Sequence, residues 1–125
     1  MIRRIIIHDH PHAAAALAVA TELGVAIILQ SAPGAAGYLG AGYFRGLEVV
    51  LDCGDSPGHA LAALRAGVKR FRLRGGPEVL RRVADIANQL GAELEADEAV
   101  AALDLGTVAP SRWAEECRAW LMACS

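Results

Sequence analysis

Histidine, aspartate and cysteine gather at two places in this chain. His8-Asp9-His10 follows the apolar run Ile5-Ile6-Ile7, and Asp52-Cys53-Gly54-Asp55 follows Val49-Val50-Leu51, with His59 shortly after. Imidazoles and carboxylates in such groups support two kinds of chemistry. His8, His10 and Asp52 together would make a mixed nitrogen and oxygen site, suited to a divalent transition metal rather than to magnesium. The same groups without metal act as acids, bases or hydrogen-bond donors. Alternation along an extended strand puts His8 and His10 on one face and Asp9 on the other. Asp9 and Asp55 are the supporting carboxylates. Cys53 is the candidate nucleophile, with His8 or His59 as its base, although a buried, inert cysteine is the commoner state. His12 and His59 are expected at helix N-termini, facing solvent.

A third group is basic. Arg70, Arg72 and Arg74 alternate with Phe71 and Leu73 and lead into Gly75-Gly76-Pro77. Arg74, Gly75 and Gly76 ahead of a helix are suited to a phosphate or carboxylate, through the guanidinium and exposed N–H groups. Alternatively the three arginines form a solvated strand face or pair with Glu93 and Glu95 of the next strand. The glycine-rich segment 33–46 contains neither of the common phosphate-loop patterns. It is expected as a loop or as a closely packed piece of backbone.

The elements that must position these residues recur with a regular period. Strand-like runs cover residues 3–8, 25–30, 47–52, 69–74 and 92–96, beginning 22, 22, 22 and 23 residues apart. Helical segments over 12–23, 57–66 and 77–90 end at Gly24, Gly67 and Gly91, which suit the left-handed closing position. A short helix is expected over 97–105. A final helix follows, with Ser111 as its cap and a stripe of Trp113, Cys117, Trp120, Leu121 and Cys124 forming core or a dimer interface.

Strand and helix alternating in this way predict an α/β fold: one open, doubly wound parallel sheet in three αβα layers with an extra C-terminal helix. The expected strand order is 2-1-3-4-5, in a single domain spanning residues 1–125. That order makes strands 1 and 3 neighbours at the topological switch point, where such sheets bind ligands. It would bring His8-Asp9-His10 beside Asp52-Cys53-Gly54-Asp55.

Composition narrows the partners. The chain is 54% hydrophobic with a formal charge of −2 and 5% aromatic residues, which argues against nucleic acid. Three cysteines without a CxxC pair suggest reduced thiols and a cytoplasmic setting. The apolar stretch 13–29 is interrupted by Glu22 and Gly24, and the polar residues after Ile7 interrupt any leader-like run, so neither a membrane span nor a signal is expected.

The N-terminal half, from "RRIIIHDHPH" through "LEVVLDCGDSPG", resembles a response-regulator receiver domain, which is flavodoxin-like. The resemblance implies Asp9 as an acidic-pair member and Asp52 as phosphoryl acceptor. Strand 4 ends in Arg74-Gly75 where that family has Thr or Ser, and Ala96-Asp97 stand where it has Lys. What is implied is a receiver-like module that no longer switches on phosphate. "ALRAGVKRFRLRGG" looks like a repeat of phosphosugar aldolase barrels, but Lys69 lies at the wrong end of its strand for a Schiff base.

Three function classes follow: a ligand-binding or regulatory domain for a small anionic molecule or metal ion; a small metal-dependent hydrolase or lyase using His8, His10 and Asp52; and a structural protein forming a homodimer.

Overall fold

The computed structural model describes residues 2–40, 42–44, 46–96 and 100–123. Cys124, and Asp97 with the start of the helix expected over 97–105, lie outside the described residues. The architecture is α/β with a parallel sheet, as the alternation predicts. Six strands take part, β1 (Arg3–Ile7), β2 (Ile27–Ser31), β3 (Val49–Asp52), β4 (Arg70–Leu73), β5 (Glu93–Ala96) and β6 (Ala102–Asp104), in the order β5-β4-β3-β2-β1-β6. The expected five strands in order 2-1-3-4-5 are therefore corrected. β1 has β2 and β6 as its sheet neighbours, not β3. A periodic sequence sets the crossover, whose hand is fixed, but not the side of the preceding strand on which the next one pairs. The sixth strand occupies part of the expected helix 97–105. "ALD" is too short to gain helical hydrogen bonds, and along β1 it finds a ladder instead.

The chain divides into two compact units, residues 1–30 with 100–125 and residues 31–99. In the first, α1 (His10–Leu23) starts at Asp9, whose carboxylate accepts the His12 N–H at 2.9 Å. It stops at Gly24, where φ is +67°. Ala13, Ala16, Val19 and Ala20 form its buried face. The stretch 13–29 is thus shared between a helix and a strand, and among the described residues no helix is long and apolar enough to cross a membrane.

β6 pairs with β1 in the register Arg4↔Ala102 and Ile6↔Asp104, while Ile5 and Ile7 are wholly buried. α5 (Trp113–Met122) packs on α1 and β1 and buries Cys117 and Leu121. Its expected cap at Ser111 is corrected: residues Pro110–Arg112 form a 3-10 turn, and the helix starts after Arg112 without a side-chain cap. Pro110 opens that turn, so Ser111 lies inside it. Trp113 and Trp120 donate their indole N–H groups to the carbonyls of Val108 and Arg4, each at 2.9 Å. Of the described residues in this stripe, Cys117 and Leu121 are buried and Trp113 and Trp120 half-buried.

In the second unit all four residues of β3 are buried, as expected for a strand covered on both faces. The glycine-rich segment contains a short helix, α2 (Ala35–Tyr38). Gly37 lies under the His59 ring, where a Cβ would stand 2.9 Å from Cε1, so close packing explains this glycine. α3 (Pro57–Arg65) is capped by Ser56, and α4 (Pro77–Gln89) follows β4. β4 pairs with β3 through Asp52↔Arg72 and with β5 through Arg72↔Glu95. Phe71 and Leu73 point the other way and are fully buried.

Candidate functional site

The two polar strand ends found in the sequence belong to different units and acquire different partners. At the end of β1, His8 is half-buried, with Nε2 2.6 Å from Oδ1 of Asp104 at the end of β6. The same oxygen accepts the Gly106 N–H at 2.8 Å. The His8 backbone N–H donates to Nδ1 of His12 at 2.9 Å, so His12 serves as an acceptor there. His12 is 6% exposed, which corrects its expected place in solvent. Its ring meets those of His8 and Trp113 edge to face, at centroid distances of 5.5 and 4.6 Å. Burial pushes the His12 pKa down; Asp9 opposes that, His8 adds to it and Asp104 opposes it more weakly. A neutral imidazole is the form that can accept the His8 N–H. His10 is exposed at the first turn of α1.

At the end of β3, Asp52 is 5% exposed. Its Oδ1 accepts the backbone N–H groups of Gly34 at 3.0 Å and Gly54 at 2.8 Å. Its own N–H donates to the buried Ser31 hydroxyl at 2.8 Å. This carboxylate closes the loop after β2 onto the loop after β3. Cys53 is buried, and its thiol is pushed up to about 12, first by burial and then by the Asp52 charge. Both influences disfavour the thiolate, the form a nucleophile needs. Asp55 and His59 are exposed. Among the described residues no group of three His, Cys, Asp or Glu side chains is placed to hold a metal ion. The set His8, His10 and Asp52 draws on both units, His8 and His10 on the first and Asp52 on the second.

The basic strand divides as well. Glu95 receives Arg70 at 3.1 Å and Arg72 at 2.7 Å, the pairing expected across to the fifth strand. Arg72 is 4% exposed, so its charge is part of the interior rather than of a solvated face. Arg74 lies beyond the strand. Its backbone N–H donates to the Gly54 carbonyl at 2.8 Å, tying the ends of β4 and β3 together. A shallow cavity of about 250 Å³, lined by Leu73, Arg74, Gly75 and Leu80, opens there. Gly76 is the N-cap of α4 and supplies no side-chain cap. Arg74 and Gly75 line this cavity, and Gly76 follows them at the start of α4.

Asp104 was missed by the sequence reading. Its signal was present, because Leu103-Asp104-Leu105-Gly106 repeats the form of Leu51-Asp52-Cys53-Gly54. Compared with family models and with curated proteins, the chain matches none.

Proposed function

We propose that this protein is a ligand-binding domain for a small anion, a phosphate- or carboxylate-bearing molecule, held at the carboxyl end of β4. The observation that carries this reading is the cavity lined by Leu73, Arg74, Gly75 and Leu80 at the start of α4. Three physical features support it. Helix α4 has 13 residues and no side-chain cap, so its first-turn N–H groups and its dipole favour an anion. Gly75 and Gly76 carry no side chain to obstruct an approach to the backbone. Arg74 supplies a guanidinium, the group best shaped for two acceptor oxygens. The cavity lies below the roughly 300–1,000 Å³ of sites that take drug-sized ligands, so the anion is small.

Phosphoryl transfer to Asp52 is the less favoured reading. That carboxylate is buried and its Oδ1 is occupied by two backbone N–H groups, a poor state for a nucleophile.

Titration with inorganic phosphate and with citrate, followed by amide NMR shifts, tests the proposal. Binding is expected to move the Gly75, Gly76 and Val79 resonances. Arg74→Ala is expected to weaken it about 10- to 100-fold, the loss of a charged hydrogen bond worth roughly 1.5–3 kcal/mol. Unmoved resonances at millimolar concentrations of both anions overturn it.

A further inference from the structure

We infer that the first unit carries a proton-transfer site in which His8 is the acid–base group and Asp104 its positioning residue. It goes beyond anion binding and involves none of the same residues. Nε2 of His8 and Oδ1 of Asp104 are 2.6 Å apart, with side-chain exposures of 37% and 34%. A carboxylate accepts and does not donate, so Asp104 selects the tautomer with the proton on Nε2. Nδ1 is left with its lone pair. It has no hydrogen-bond partner among the described residues and is not one of the buried polar atoms lacking a partner. The nitrogen able to take a proton is thus the one that meets solvent.

Several neighbours hold this arrangement. The Gly106 N–H fixes the Asp104 oxygen at 2.8 Å, and the Thr107 hydroxyl donates to the Asp104 carbonyl at 2.8 Å. Gly106 also makes room for the ring: a Cβ there would overlap the His8 imidazole at Nε2. His12 anchors the His8 backbone and meets its ring edge to face. A base oriented by a carboxylate, itself held by further hydrogen bonds, is the arrangement that general acid–base catalysis uses.

The surroundings define the substrate class. Asp104 places a negative charge against the His8 ring, while burial favours the neutral form of His12 beside it. A phosphate or carboxylate is repelled there. The site suits a neutral or cationic molecule with an acidic O–H or N–H. Nδ1 takes that proton, the bond electrons stay on the substrate oxygen or nitrogen, and Asp104 balances the imidazolium until the proton is returned to product or solvent.

Diethyl pyrocarbonate, which acylates imidazole through its free lone pair, is the probe, read residue by residue by mass spectrometry at pH 7. His8 is expected to react about tenfold faster than the exposed His10 and His59, and Asp104→Asn to remove that advantage. Long-range nitrogen–proton NMR should show His8 as the Nε2–H tautomer in the native protein and as a mixture in Asp104→Asn. Gly106→Ala, which displaces the ring and keeps the carboxylate, should lose the tautomer preference too. Equal rates at His8, His10 and His59 in the native protein overturn the inference. So does a His8 rate and tautomer unchanged in Asp104→Asn.

Discussion

Asp52 and Asp104 occupy the same local setting in the two units. Each ends a parallel strand in a Leu-Asp-X-Gly sequence, and each accepts the N–H of the glycine two residues on at 2.8 Å. Their second partners differ. Asp52 takes another backbone N–H, from Gly34, and is buried. Asp104 takes the side chain of His8 and stays one-third exposed. The first carboxylate is thereby committed to holding two loops. The second is committed to orienting a group that can still react. The motif and the aspartate-to-glycine hydrogen bond are shared, and the neighbouring segment decides whether the result is structural or chemical.

Replacing the two aspartates is the strongest way to break this comparison. Asp52→Ala leaves two half-buried N–H groups without an acceptor and is expected to cost about 2–3 kcal/mol in denaturant unfolding. Asp104→Ala, at a half-exposed pair, is expected to cost under about 1 kcal/mol. Equal losses would mean that both aspartates serve stability alone.

The two glycines sharpen the contrast at a smaller scale. Gly54 has φ of +61°, so Gly54→Ala meets backbone strain of roughly 1–2 kcal/mol. Gly106 has no positive φ, and the atom a Cβ would meet is the tip of a half-exposed ring that can swing aside. Gly106→Ala should therefore remain within about 1 kcal/mol of the native protein in the same unfolding assay.

The smallest expected effect is a pH dependence belonging to the first unit. Burial lowers the His12 pKa below 6.5 in the folded chain, so the unfolded chain binds the proton first. The His12 contribution is fully present above that value. It is lost as pH falls through 6.5 toward the lower folded value, since the unfolded state then holds more protons. A shallow decline in melting temperature across that window is expected, and His12→Gln should flatten it.

Much of the scaffold was legible in the residues. Apolar runs at a 22-residue spacing marked β1 to β5, the glycines at 24, 67 and 91 marked helix ends, and pairing of Arg70 and Arg72 across to the fifth strand was one of the two outcomes their alternation allowed. β6 was not legible as a strand. Three residues carry too little periodicity to stand out, and pairing with β1 is what makes them extended. His12 was misplaced for a related reason. The helix N-terminus was readable, but Trp113, about a hundred residues on, is what faces its ring.

By itself the sequence determined which backbone can be strand, which can be helix, and where each must stop, because these follow from side-chain sterics, capping and apolar period within a few residues. Tertiary structure alone decided which strand ends are neighbours. It placed His8 beside Asp104 and gave the Asp52 carboxylate to two glycine N–H groups. The physical reason is that strand order depends on competing long-range pairings of similar local merit, and only the packed chain resolves them.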